Sequence, residues 1–288
     1  MGLILLSLVF LGTGGGRFAT ISQARATGGL YLISDSARIH IDPGPGSLIK
    51  MRESGLDPTK TNAIIVTHCH PDHYNDAEIL VEAMTHGCKK KRGLLAGSDS
   101  VLNGSQGLGP AVSKYHISKP ADVRMLKQGE TFKIDDLKLT TTRTFHSDPS
   151  AFGLRVESRD GVISMTGDTA LREEVYKEHK GCDVLILSVT RPLQSRIPHH
   201  LSTEDAASIV SVVKPKLALL THFGMRFIGA NPEVQANWVE RQTGVRTVSA
   251  WDGMELVLKA CTPTVQKCVS KKQMDQEKIS VDLDDAIQ

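Results

Sequence analysis

An α/β fold is what this sequence predicts, and three observations carry that prediction. Short apolar runs of strand length, such as Ala63-Ile64-Ile65-Val66 and Asp183–Val189, alternate with helical patterns such as Thr203–Val213. The most distinctive stretch, Thr67-His68-Cys69-His70-Pro71-Asp72-His73, follows one of those runs directly. It therefore lies in the loop at the C-terminal end of a strand, where α/β architectures gather ligands and chemistry. Glycine is frequent, at 25 residues, while aromatics make up 5%, which fits a loop-rich α/β protein.

Composition bounds the function before any motif is read. A chain of 288 residues, 40% hydrophobic, can bury a full core as one large domain or two small ones. The net charge of +2 gives no whole-molecule attraction to nucleic acid, so a nucleic-acid enzyme would need a local basic surface. The five cysteines, Cys69, Cys88, Cys182, Cys261 and Cys268, are odd in number and form no Cys-x-x-Cys. That speaks against a disulfide framework or a Cys-based zinc finger, and the expected compartment is the reducing cytoplasm.

In chain order, the apolar run Leu3–Leu11 reads as a buried first strand. It lacks a basic leader region, and it is too short to span a bilayer, so no membrane partner is expected. Gly12-Thr13-Gly14-Gly15-Gly16 matches no nucleotide-binding loop and reads as a tight turn. Gly29–Ser34 and Ala37–Asp42 read as two strands joined at Asp35-Ser36, and Ser47 as the N-cap of a short helix stopping near Gly55. Then comes the histidine-rich loop. His68 and His70 are two apart, so in an extended segment they point the same way and can share one metal. Pro71 turns the chain, after which Asp72 and His73 can face a second metal; imidazole and carboxylate suit zinc, and also manganese or iron. Three of the chain's 11 histidines fall in six positions with an Asp between them, a clustering that unrelated surface histidines do not explain. Cys69, between two candidate ligands, should point away and pack.

Ala77–His86 reads as a helix stopped by Gly87, with Ile79, Leu80, Ala83 and Met84 apolar. Lys89-Lys90-Lys91-Arg92 reads as a solvated face, or as a contact for a polyanion. The Gly- and Ser-rich Ser98–Pro110 reads as a flexible loop. Val123–Val156 reads mainly as strands, with His146 ending a β-prone run. Val162–Met165 is a further strand, and Asp168 follows Gly167 at its end, where a sharp turn can aim the carboxylate into a cleft. Lys216–Leu220, Val245–Ser249 and Met254–Leu258 read as strands and Pro232–Arg241 as a helix. Residues 1–260 are expected to form one domain, and the polar stretch 261–288 a weakly ordered tail.

His68-x-His70-x-Asp72-His73 after an apolar strand resembles the metallo-β-lactamase superfamily. That resemblance implies a four-layer αββα sandwich over roughly residues 3–258, with the site at one edge of two sheets. It implies further partners: Asp42 holding a metal-bound histidine, His146 as the third histidine on the first metal, Asp168 bridging, and His222 completing a second site with Asp72 and His73. The segments His200-Leu201-Ser202-Thr203 and Thr221-His222-Phe223-Gly224-Met225-Arg226-Phe227 are similar to the RNase Z branch. There a His near the scissile phosphate assists proton transfer; His200 is the candidate, with His199 as a competing register.

The expected function is a hydrolase with two divalent ions, zinc first, that activates a bridging hydroxide against a phosphodiester, RNA or a small nucleotide diester, with Asp72 and His200 catalytic. No arm for gripping transfer RNA is evident, and a homodimer stays open. Two alternatives remain: hydrolysis of carbon esters, thioesters, lactones or β-lactams at the same site, and a non-catalytic binding protein on this scaffold.

Overall fold

Runs of four to eight β-branched and leucine residues, bounded by Gly, Asp and Asn, are too short for stable helices and pair as strands. The computed structural model describes residues 6–268. The first half runs β1 (Leu6–Phe10), α1 (Arg17–Ser22), β2 (Leu30–Ile33), β3 (Arg38–Ile41), α2 (Ser47–Glu53), β4 (Ala63–Val66), α3 (Pro71–Tyr74) and α4 (Ala77–Met84). β5 (Leu94–Gly97), α5 (Asp99–Leu102), α6 (Lys114–Ile117) and β6 (Asp122–Met125) complete it. The second half runs β7 (Thr131–Ile134), β8 (Leu137–Thr142), β9 (Gly153–Ser158), β10 (Gly161–Met165), α7 (Glu173–Glu178), β11 (Val184–Arg191) and β12 (Leu201–Ser202). α8 (Thr203–Val213), β13 (Leu217–Thr221), α9 (Met225–Gly229), α10 (Pro232–Thr243) and β14 (Thr247–Ser249) follow, and β15 (Met254–Lys259) and β16 (Thr262–Lys267) return to the first sheet.

The strands form two sheets, ordered β16-β15-β1-β2-β3-β4-β5-β6 and β14-β13-β11-β10-β9-β8-β7. The period-2 alternation of a strand decides where each side chain goes. In β1, Leu8 and Phe10 face the second sheet and join Ile39, Ile65, Leu139, Val156 and Ile186 in the central core. Val9 and Leu11 face the other way, under Met51 of α2 and Leu80, Val81 and Met84 of α4. On the far side Leu185, Leu187 and Leu220 pack beneath Ala206, Ile209 and Val210 of α8 and Val239 of α10. The result is helix, sheet, sheet, helix: the expected αββα sandwich. Truncating a central residue such as Ile65, fully buried, to Ala would cost about 2–5 kcal/mol.

Several local expectations are corrected. Ser47 is the first helical residue rather than the cap; Gly46 takes that place, and the Ser47 hydroxyl donates to the carbonyls of Gly44 and Gly28. Ser98–Pro110 is not a bare loop, for it contains α5 and its Ser98 and Ser100 are buried. Ile79 lies on the exposed side of α4. Thr262–Lys267, expected to lie in a weakly ordered tail, pairs antiparallel with β15 from Met254↔Lys267 to Lys259↔Thr262. The rest of that tail, and Leu3 to Leu5 of the first-strand expectation, lie outside the described residues. In the basic run, Lys91 donates to the Ser118 carbonyl and Arg92 to those of Thr59 and Met84, so two of its four cations tie loops together. All five cysteines are free. Among the described residues no helix is long and apolar enough to cross a membrane.

Candidate metal centre

The candidate site residues all fall at one edge of the sandwich, on loops or, for Asp72 and His73, on the short helix α3. Asp42 follows β3, His68 to His73 follow β4, and His146 lies between β8 and β9. Asp168 follows β10, His200 precedes β12, and His222 follows β13. Local backbone explains the aim of two of them. Gly167 has φ 62°, a left-handed turn that lets the chain double back at Asp168. His222 itself has φ 62°, which is uncommon for a histidine.

Four overlapping sets have ligand atoms within 4.8 Å of one another: His68/His70/His146, Asp72/His73/His222, His68/His73/Asp168 and His146/Asp168/His200. Every residue expected as a metal ligand from the sequence is in one of these sets. His68 Nε2 lies 3.1 Å from His70 Nδ1, and His73 Nε2 lies 3.1 Å from His222 Nε2. His222 Nε2 is 3.3 Å from Asp72 Oδ2 and 3.2 Å from Asp168 Oδ2, while His73 Nε2 is 3.7 Å from Asp168 Oδ2. Asp168 thus stands between the two histidine groups.

Supporting contacts fix the orientation of these rings. Asp42 Oδ2 accepts from His73 Nδ1 at 2.9 Å, and its carboxylate also takes the backbone N–H and hydroxyl of Thr67 at 2.7 and 2.8 Å. This is the place expected for Asp42, behind a histidine. Asp72 Oδ2 accepts from Gly16 N at 2.8 Å. Thr67 Oγ1 faces His68 Nδ1 at 3.1 Å. Thr190 Oγ1 faces His222 Nδ1 at 3.1 Å and His200 Nδ1 at 3.3 Å. His200 Nδ1 is 3.7 Å from Asp168 Oδ2, whereas His199 is exposed, its ring centroid 6.5 Å from that of His146. Of the two registers, His200 is the one drawn into the cluster. The Gly12–Gly16 turn packs against the centre: a Cβ at Gly15 would stand 2.3 Å from His222 ring atoms.

The donor set fits divalent cations. Asp168 Oδ1 and His146 Nε2 are buried without a hydrogen-bond partner, a costly state unless something else satisfies them. Facing ring nitrogens at 3.1 Å likewise converge lone pairs that one cation would satisfy. Charge balance inside the cluster is strong. Burial opposes ionisation of Asp168 and Asp72, yet His222 and His73 override it and hold both carboxyls well below the usual range. Burial works against protonating His73, but Asp42, Asp72 and Asp168 raise it well above an ordinary histidine. Burial pushes His68 well down and His146 down to about 4, so both rings are neutral near pH 7 and able to ligate.

Sequence reasoning missed Thr190, the Gly16 amide and the carboxylate of Asp148. Neither Asp148 nor Thr190 carried a local signal: Cys69 and Ser100 lie 79 and 48 residues from Asp148, and the partners of Thr190 lie ten and thirty-two residues away.

A family model described as the beta-lactamase superfamily domain matches residues 37–223. An uncharacterized protein of Methanocaldococcus jannaschii is 38% identical over 255 residues, spanning 88% of this chain and 95% of that one. Ribonuclease Z of Bacillus subtilis is 23% identical over 314 residues, spanning 87% of this chain and 98% of that one. The crystal structure of the metallo-beta-lactamase fold protein YhfI from Bacillus subtilis superimposes with a TM-score of 0.71 at 17% identity, covering 91% of this chain and 99% of that one.

Proposed function

The chain belongs to the beta-lactamase superfamily, and from that membership and the paired ligand sets we propose a dinuclear, metal-dependent hydrolase that cleaves phosphodiester bonds. The observation that carries this reading is Asp168, buried between the two histidine groups with one carboxylate oxygen unpartnered and His200 at its side. His68, His70 and His146 would hold one ion, Asp72, His73 and His222 the other, and Asp168 both. When bound, two divalent cations, zinc first, supply a water-derived nucleophile at neutral pH and neutralise charge developing on the electrophile.

The chain's own residues do the rest. Asp72 is pinned through Oδ2 by Gly16 N–H and can orient the attacking water through its carboxylate. Asp42 holds His73 in one tautomer by accepting from Nδ1, leaving Nε2 for the cluster. His200, steadied by Thr190, would pass a proton to the departing oxygen. The likeness to ribonuclease Z over most of both chains supports a phosphodiester, with RNA the first polymer to try.

The test is hydrolysis of bis-p-nitrophenyl phosphate beside p-nitrophenyl acetate and a chromogenic cephalosporin, with zinc and then manganese. Metal-dependent diester cleavage is expected, and His200→Ala should retain metal while slowing it about 10²–10⁴-fold, the usual worth of a general acid. Preference for the ester or lactam would place the chain with carbon-acyl hydrolases instead. Metal loss in His200→Ala would make His200 a ligand.

A further inference from the structure

Asp148 is fully buried, and no lysine or arginine pairs with it among the described residues. A lone buried carboxylate is expensive unless its lone pairs are filled. Here they are filled, by neutral donors. Oδ2 accepts from the Cys69 backbone N–H at 2.9 Å and from the Ser100 hydroxyl; Oδ1 accepts from the Ser150 N–H at 2.9 Å and its hydroxyl at 2.7 Å.

The placement of the donors matters more than their number. Cys69 is the residue between His68 and His70, at the end of β4 in the first sheet. Asp148 itself lies two residues after His146, in the β8–β9 loop of the second sheet. One carboxylate therefore ties the peptide carrying two histidines to the loop carrying the third, across the gap between sheets. Its own backbone nitrogen lies 3.4 Å from His146 Nδ1, so the peptide of Asp148 packs against that ring, whose Nε2 is buried without a partner. Ser100 and Ser150, 2.9 Å apart, add the β5 loop to the same knot.

We propose that Asp148 is a positioning residue for the three-histidine set, fixing His68, His70 and His146 in one geometry. This rests on the metal-centre reading above and extends it to a residue outside every ligand set. Partners behind metal-bound histidines typically change affinity 10–100-fold.

The experiment is cation affinity of the full chain, by chelator competition with zinc and by the absorption spectrum of the cobalt-substituted protein, for wild type, Asp148→Asn and Ser150→Ala. Asp148→Asn keeps the shape but removes the charge and turns one acceptor into a donor. The expected result is a 10–100-fold loss of affinity at one of two sites, an altered cobalt spectrum, and a fall in kcat with KM little changed. Ser150→Ala, which removes one of four donors, should show a smaller shift of the same kind if Asp148→Asn does not fold. A lowered melting temperature with unchanged affinity and spectrum in either variant would overturn the proposal, making Asp148 structural only. Wild type that binds no cation would instead defeat the metal-centre reading itself.

Discussion

His179 gives a prediction that needs no ligand at all. It is fully buried at the end of α7; Nδ1 meets Ser164 Oγ at 2.6 Å, and Nε2 has no partner. Burial, helped by the Arg155 charge, pushes its pKa from 6.5 down to about 4. A histidine depressed on folding binds protons more readily in the unfolded chain. Its stability contribution is thus complete above about pH 6.5 and is lost as pH falls towards about 4. Over the window from 6.5 to about 4, at about 1.4 kcal/mol per pH unit at the steepest, the loss comes to roughly 3 kcal/mol. His40, also brought to about 4 by burial, adds a second loss of similar size. Against a whole-domain stability of about 5–15 kcal/mol, two such groups can decide where acid unfolding begins. The variant is His179→Gln, which keeps hydrogen-bonding atoms and does not titrate. Urea midpoints of the metal-free proteins between about pH 7 and 4.5 measure the curves, and contributions from the distant histidine cluster cancel in the difference. The variant curve should be flatter by about 1.4 kcal/mol per pH unit in the acid half. Parallel curves would refute the reasoning, whatever the variant's stability at pH 7.

Other perturbations test the centre and its supports. His68→Ala and Asp168→Ala should each release cation and abolish turnover, read by metal content after dialysis and by diester hydrolysis. Gly15→Ala places a methyl 2.3 Å from His222 ring atoms; with ring displacement of about 1 Å, activity should fall about 10²-fold while circular dichroism stays unchanged. Asp42→Asn removes a charged acceptor from His73 and should lower cation affinity about 10–100-fold, read by chelator competition. Ser202→Ala breaks the capping box in which Ser202 and Asp205 bond reciprocally at the start of α8, and should lower stability by about 1 kcal/mol with unaltered cation binding.

What could be read from the sequence depended on how far apart the interacting residues lie. His68, His70, Asp72 and His73 share one short loop, so spacing alone brought them together. His146, Asp168 and His222 are single residues at the ends of separate strands, and only resemblance to a family joined them before the structure did. Contacts such as Thr190 with His200 and His222, or Asp148 with Cys69, depend on sheet-to-sheet packing, which no local pattern encodes. The same holds for the elements. α8 was plain from the helical pattern of Thr203–Val213. α1 has no side-chain cap and leaves Phe18 and Ile21 exposed, and α7 buries only Val175, so neither shows the stripe that marks a helix. β16 is polar along its length because it lies at the sheet's margin, and its pairing with β15 is what makes it a strand.

The order of strands also has a consequence for synthesis. The second sheet is one unbroken span of sequence from β7 to β14, but the first sheet is split: β1 sits between β2 and β15, which are made at opposite ends of the chain. A nascent chain can complete the second sheet while one side of β1, Leu6 to Phe10, still exposes its unpaired amides and carbonyls to solvent and to other chains. Met254–Lys259 closes that side last. A ribosome that stops short of this strand releases a protein with every histidine and aspartate of the centre in place and an apolar, sticky margin beside them.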